Sequence, residues 1–438
     1  MEELMYHSTV DDEEEIKDPY CDPDHPVNVP YDDVIAAEAK IKDGIICTPC
    51  DKTRLSEIYG IHLYLKKDFL QYTGNFKERG ARYTLLMLDD EKKKKGVVSA
   101  SLGNHAQAIC YHGMLLNIPT TVVMPVVAPI MKISQCKKYN ATVVVQGRDM
   151  AEAKRIALRL AKNNGLTYVN GYDHPQVIAG QGTIGMEVLA QVPDVDAIII
   201  PCGGGGLIAG VALAAKKLKP SVKIIGVESE KCPGFSQSMK DGKPSKVGVE
   251  ATLADGLAVP LIGFNSFETA KRYIDRMVVV KEQSIALAIL RYVEVEKCVV
   301  EGAGACGLAA VIEGQMNEFK GKKVVSILSG GNIDTTILGR CLERGLAADG
   351  RFVKAKVTIS DRPGGMAELV KLIASLGANI KDILQERAWV TQDVFSVEVI
   401  CICETRDMPH SVELRDLLRK HYKKVKMDIP EVCTSSKC

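Results

Sequence analysis

From about residue 31 onward, short runs of consecutive apolar residues alternate with segments of helical period. TTVVMP (120–125), TVVVQG (142–147), DAIIIPCGG (196–204), KIIGVE (223–228) and KVVSILSGG (323–331) are largely apolar and rich in β-branched side chains. Between them, AEAKRIALRLAKNNG (151–165) and LIAGVALAAKKLK (207–219) repeat apolar positions every three or four residues. Strands without polar alternation, separated by helices, predict parallel sheet covered on both faces. Lys92–Lys95, just before Gly96, reads as the solvated last turn of a helix, where cations suit the macrodipole.

The pattern changes after about residue 345. KAKVTIS (354–360) predicts a strand and DRPGGMAELVKLIASLGANI (361–380) a turn and helix. KDILQERA (381–388) and VFSVEVICICE (394–404) predict strands, SVELRDLLRKHY (411–422) a helix, and KKVKM (423–427) a last strand. The order β-α-β-β-α-β is the split βαβ unit of ferredoxin-like folds. The expected fold class is therefore an α/β body over residues 31–345, followed by a small α+β unit over 353–430. Residues 1–25 hold ten Asp and Glu against one Lys. They predict an acidic, disordered tail over residues 1–30.

Composition narrows the functional classes. Lys and Arg number 56 against 55 Asp and Glu, a net charge of +1, which removes the basic excess of a general nucleic-acid binder. No apolar run approaches the ~18 residues of a membrane span. The first fifteen residues lack the basic and apolar regions of a secretory signal. Fourteen scattered cysteines suit reduced thiols in a cytoplasmic protein. Cys47-Thr48-Pro49-Cys50 spells C-x-x-C, which leaves a redox pair open.

Three glycine-bearing loops follow predicted strands, where ligands bind in open parallel sheets. In PCGGGGLIAG, Gly203, Gly204, Gly205 and Gly206 lead straight into an apolar helix beginning near Leu207. Such a run lets backbone N–H groups approach an anion at a helix N-terminus. Gly204, Gly206, Ala209 and Glu228 also satisfy a dinucleotide fingerprint, so a nicotinamide enzyme stays open. In SASLGNHAQA, Ser101, Gly103, Asn104 and His105 gather hydroxyl, amide and imidazole groups suited to a carboxylate or a phenolic oxygen. His105 is as well explained as a helix-start hydrogen bonder. SILSGGNID carries Ser329 at the end of the last apolar run. In TGNFKERGA, Asn75 is expected to cap a helix with Glu78 completing a capping box. Lys77 then lies in the first turn, where the dipole disfavours an ammonium; a reactive amine and a surface charge are both open.

TGNFKERGA, SLGNHAQA, MPVVAPIMK (124–132), AGQGTIGMEV (179–188), PCGGGGLIAG, TLADGLAV (252–259), VEGAGA (300–305) and SGGNID together resemble the threonine/serine dehydratases, fold-type II pyridoxal-phosphate enzymes. The C-terminal unit resembles an ACT domain, with DRPGGM (361–366) at its first turn. The resemblance implies a two-lobed body with a smaller lobe within about 96–172, pyridoxal 5'-phosphate as cofactor, and Lys77 as its covalent attachment and α-proton shuttle. It implies that the amides of Gly203–Gly206 and Leu207 hold the phosphate and Asn104 the ring phenolic oxygen. Phe76 would pack on the ring, Ser329 face the pyridine nitrogen, and Ser101, Gly103, Asn104 and His105 hold the substrate carboxylate. A serine keeps no proton on that nitrogen as a carboxylate would, so the ring is a weaker electron sink and loss of a β-hydroxyl is favoured. The implied reaction takes L-threonine to 2-oxobutanoate and ammonia, and L-serine to pyruvate, in a homodimer or homotetramer with an amino-acid effector at the ACT unit. Leu102 stands where racemases of this family carry an acid/base serine, which disfavours racemisation. Glu228 is the one candidate metal ligand, and Gly234 occupies the place of its expected partner carboxylate, so no metal is expected. A sensor without catalysis is the reading from another class, opposed by the intact Lys77.

Overall fold

The computed structural model describes residues 16–388, 390 and 394–429. Strands β1 (Cys50–Lys52) and β2 (His62–Lys66) precede a four-stranded parallel sheet of β3 (Val97–Ala100), β4 (Thr120–Met124), β5 (Thr142–Val145) and β6 (Thr167–Tyr168), in the order β5-β4-β3-β6. The chain then returns to the first sheet with β7 (Ala197–Pro201), β8 (Lys223–Ser229), β9 (Arg276–Val280) and β10 (Lys323–Ile327). That sheet runs β1-β2-β10-β7-β8-β9, parallel apart from β1. Every residue of β7 is buried, as expected for a strand covered on both faces.

β1 and β2 do not read as apolar runs, whereas β9 (RMVVV) does and was not singled out. β2 reads His-Leu-Tyr-Leu-Lys, and its last residue, Lys66, is wholly buried. The reason is an ion cluster. Lys66 Nζ donates to Glu187 Oε2 (2.5 Å), Gln191 Oε1 (2.9 Å) and the Thr48 carbonyl (2.6 Å). Beside it, Arg79 forks onto Asp68 through Nε and Nη2 (both 2.8 Å) and onto Glu187 through Nη1 (2.6 Å) and Nη2 (2.9 Å). Burial works against a charged Asp68, but the Arg79 guanidinium overrides it and holds the carboxyl below its usual range.

The helix Pro175–Gln191 is the scaffold of the large lobe. A Cβ on its Gly180 would lie 2.6 Å from Gly80 Cα in the helix Lys77–Met87. On its other flank, a Cβ on Gly210 of the helix Gly206–Leu218 would lie 2.5 Å from the Gly182 nitrogen. Both helices that start at glycine-bearing loops thus touch one scaffold helix backbone to backbone.

The C-terminal unit contains β11 (Phe352–Ser360), the helix Gly365–Ser375, β12 (Asn379–Glu386), β13 (Ser396–Glu404), the helix Met408–His421 and β14 (Val425–Asp428). Its sheet is antiparallel, ordered β12-β13-β11-β14, and the β-α-β-β-α-β sequence is as expected. It joins the body through the helix Thr335–Ala348 and two crossed ion pairs, Arg291 Nη1 to Asp349 Oδ2 (3.0 Å) and Arg351 Nη1 to Glu294 Oε1 (2.6 Å).

The expected acidic tail does not extend to residue 30. Val29 is buried, and the Val27 and Val29 amides donate to Asn265 Oδ1 (2.7 Å) and Thr269 Oγ1 (3.0 Å). Asn265 Nδ2 donates to the Tyr20 carbonyl (2.8 Å), so residues 20–29 run as a strap on the body. The acidic run 11–15 that prompted the expectation lies outside the described residues.

Arg79→Met leaves buried Asp68 and half-buried Glu187 with too little positive charge. It is expected to cost about 3–5 kcal/mol of stability, read as a lower urea midpoint.

Candidate active site

Gly74–Phe76 pairs with the loop after β10. The Phe76 amide donates to the Ser329 carbonyl (2.9 Å) and the Gly331 amide to the Gly74 carbonyl (2.9 Å). This pairing alters the expected cap. Asn75 Oδ1 accepts from the Lys77 amide (3.0 Å), while the Glu78 carboxylate reaches back to the Thr73 amide, not to Asn75, whose backbone is bridged to Gly330. Lys77 opens the helix, its amine donating to the Gly171 carbonyl (2.5 Å) and lying 5.2 Å from the centre of the Phe76 ring. Burial pushes this amine down to about 8, with the nearby Glu301 carboxylate pulling the other way.

Asn104 starts the helix Asn104–Leu115 beyond β3. Its Nδ2 donates to Glu301 Oε1 (2.8 Å) and its Oδ1 accepts from Asn332 Nδ2 (2.8 Å). Asn332 Nδ2 also donates to the Thr73 carbonyl (2.8 Å), and Lys132 Nζ to the Asn332 carbonyl (3.3 Å). The loops bearing Lys77, Asn104 and Ser329 therefore meet. Ser101 Oγ accepts from the Gly103 amide (3.4 Å), leaving the first-turn N–H groups of the helix without intrahelical partners. His105 differs from its neighbours in the loop. Its ring is buried against Gly171, and burial, helped by Lys77, pushes it down to about 3. The imidazole is neutral and its ring is packed inside, while its backbone N–H lies in the first turn of the helix. Leu102 packs onto the core of the smaller sheet.

Gly205 takes φ +98°, a backbone that favours glycine, and the helix Gly206–Leu218 starts at once. A Cβ on Gly204 would lie 2.4 Å from the Tyr172 ring, and one on Gly206 would lie 2.3 Å from the Tyr172 carbonyl oxygen. That carbonyl accepts from Ser266 Oγ (2.7 Å), and Asp173 accepts the Phe264 (3.0 Å) and Ser266 (2.9 Å) amides. Tyr172 follows Gly171, the acceptor of the Lys77 amine, so amine and glycine run are separated by one residue's breadth. Buried Leu207 adds its amide to the same helix start.

Two alternatives lose their residues to structural work. Glu228 is buried, and it caps the helix Gly234–Asp241 by accepting from the Phe235 amide (2.6 Å), the Ser236 amide (2.8 Å) and Ser236 Oγ (2.6 Å). It is not free to grip a ribose or a cation. Cys47 and Cys50 are both free thiols, and burial pushes Cys50 up to about 12, away from redox reactivity.

Glu301 was not singled out from sequence, although the run VEGAGA contains it. It is buried at the start of the helix Gly302–Ile312. Burial, with Asp255 adding to it, pushes its carboxyl up to about 7, while the Asn104 amide and Lys132 hold it back. Asn332, Gly171 and Tyr172 also escaped notice, because a contact between distant loops leaves no local pattern.

A lysine with a depressed pKa between two parallel-sheet lobes, facing a glycine-led helix start, defines a carbonyl-binding site with an anion cradle beside it. The family of pyridoxal-phosphate dependent enzymes matches residues 41–330, and this chain belongs to it. The chain is 42% identical over 369 residues to an L-threonine ammonia-lyase of Thermotoga maritima, covering 84% of this chain and 92% of that protein. Among solved structures it is similar to processed threonine deaminase isoform 2 of Solanum lycopersicum (TM-score 0.69, 36% identity, 73% of this chain and 95% of that one). It is also similar to serine racemase from Dictyostelium discoideum (TM-score 0.67, 35% identity, 70% and 100%). The residues present fit the cofactor: an amine with lowered proton affinity for its aldehyde, and a helix start stripped of side chains for its phosphate.

Gly206→Ala forces a methyl against a fixed carbonyl. It is expected to weaken retention of pyridoxal phosphate at least tenfold, read as lost absorbance after dialysis, with far-ultraviolet dichroism unchanged.

Proposed function

We propose that the protein is an L-threonine ammonia-lyase that also deaminates L-serine. The observation that carries this reading is the meeting of the Lys77, Asn104 and Ser329 loops around an amine of lowered pKa. The extent of the likeness to a threonine ammonia-lyase supports the same substrate.

When bound, pyridoxal phosphate supplies an aldehyde for the amine and an electron-withdrawing ring that acidifies the substrate Cα–H. Lys77 would hold the cofactor aldehyde and would move the proton at the substrate Cα. Phe76 packs beside the ring, and the amides of Gly203–Gly206 and Leu207 hold the phosphate. Asn104 would hold the phenolic oxygen with the second hydrogen of Nδ2, the first being committed to Glu301. Ser329 would meet the pyridine nitrogen with a hydroxyl, which does not hold a proton there as a carboxylate would, chemistry suited to loss of a β-hydroxyl. Ser101 and the N–H groups at Gly103, Asn104 and His105 hold the carboxylate. Apolar Leu102 offers no acid for returning a proton to the opposite face, which favours elimination over racemisation.

The domain reading assigns residues 31–345 to catalysis, with a smaller lobe within 96–172, and 353–430 to an ACT-like regulatory unit that takes an amino-acid effector. A cytoplasmic homodimer or homotetramer completes the proposal. Among the described residues, no helix is long and apolar enough to cross a membrane.

The test is steady-state ammonia release from L-threonine and L-serine, with and without other amino acids. Lys77→Ala is expected to abolish it, and borohydride treatment of the wild type to fix the cofactor mass on the Lys77 peptide. D-serine as the chief product from L-serine would establish the racemase instead. Rate against pH should show an acid limb near 7, rising as Glu301 gives up its proton.

A further inference from the structure

Glu301 enters the reading above only as the acceptor for Asn104 and as a titrating group, yet its carboxylate lies where the loops of Asn104 and Ser329 meet. Oε1 accepts from Asn104 Nδ2 (2.8 Å), and the Glu301 amide donates to the Gly330 carbonyl (3.0 Å), one residue from Ser329. A Cβ on Gly330 would lie 2.4 Å from Oε1 and 3.1 Å from Oε2, so both oxygens rest against bare backbone. Gly256 leaves a second open flank, 3.7 Å from Oε1 by the same measure. These two glycines keep side chains away from the carboxylate and leave it facing the interior of the site.

We propose that Glu301 is a positioning residue that sets the charge on Lys77 and fixes which way the Asn104 amide points. This deepens the proposed function and rests on it. The Asn104 amide is held at both ends, by Glu301 at Nδ2 and by Asn332 at Oδ1. The acceptor at Glu301 and the donor at Asn332 together keep Nδ2, and so a donor, on the side where the phenolic oxygen is to be met. Gly330, whose carbonyl accepts from the Glu301 amide, is bridged to Asn75 two residues before Lys77, which seats the carboxylate next to the turn that carries the amine; its negative charge favours a proton on Lys77, opposing the burial that drives it off. The two effects share one carboxylate, so its protonation links the amine to the amide contact.

The charged and titratable groups facing this pair come from four elements. They are Asp255 at the turn Asp255–Leu257, Lys132 in the helix Ile130–Lys138, neutral His105 in the helix Asn104–Leu115, and Lys77 itself. Asp255 and Lys132 act on Glu301 with opposite sign, so neither removes its influence on the amine.

The experiment measures how Lys77 in the cofactor-free full-length chain reacts with trace acetic anhydride as pH varies, read by mass spectrometry of the Lys77 peptide. Wild type should show an inflection near 8. Glu301→Gln keeps the acceptor for Asn104 but removes the charge, and the inflection should fall by about one pH unit or more. Glu301→Ala should lower it as far and, in the holoenzyme, also shift the visible absorbance maximum, because the Asn104 amide is released. An unchanged inflection in Glu301→Gln overturns the proposal. Where that variant fails to fold, Glu301→Asp decides: a smaller downward shift supports the proposal, and no shift sinks it. The function itself is tested separately in the same samples. If added pyridoxal phosphate does not protect Lys77 from acetylation, the cofactor reading fails wherever the inflection lies.

Discussion

Arg79 is the side chain on which the placement of Lys77 rests. It stands two residues further along the same helix, is wholly buried, and directs its guanidinium at two carboxylates from different parts of the chain. A fork of this kind has one orientation in which its hydrogen bonds are all made, so it fixes the helix in rotation as well as position. Asp68 comes from the turn after β2, and Glu187 from the scaffold helix Pro175–Gln191. Lys66 balances the second carboxylate, so two cations meet two anions in the interior. The cluster adds little net stability over well-packed apolar residues. What it supplies is a unique seating for the first turn of the helix, the turn that carries the amine.

Around that amine the protein sets polar groups beside the Phe76 ring. The Lys77 amine touches a backbone carbonyl, and its charged neighbour is a carboxylate that is itself desolvated. Burial lowers the proton affinity of one group and raises that of the other, which brings the two into the same range of pH. The glycines at 256 and 330 belong to this design as much as the charged residues do.

Much of this was legible in the sequence. The apolar runs located β4, β5, β7, β8 and β10, because strands covered on both faces carry their burial in consecutive residues. The glycine-bearing ends of those runs, with Lys77, located the loops of the site. β2 was not legible because its burial includes a lysine, and only a three-dimensional partner makes a buried lysine sensible. Glu301 was missed for a related reason. Its importance comes from Asn104, nearly two hundred residues earlier, and no local period records such a contact. The early boundary of the acidic tail failed because charge count dominated the reading. Val27 and Val29 are held by single hydrogen bonds to Asn265 and Thr269 that composition cannot express.

The backbone contact between Gly80 and Gly180 bears on how such a chain can change over generations. Cores usually drift by paired substitutions, one residue growing while its neighbour shrinks, with volume conserved. Here neither partner has a side chain to surrender. A methyl on Gly180 would lie 2.6 Å from Gly80 Cα, and one on Gly80 would lie 2.8 Å from the Val177 carbonyl oxygen. No second mutation can make room, because the obstruction is main chain. The same holds at Gly210 against Gly182, on the other flank of the scaffold helix. Descendants of this protein are therefore free to rewrite the faces of its sheets. Along the two seams that hold the amine and the phosphate cradle in register, every lineage starts from the same two glycine contacts and has nowhere to go.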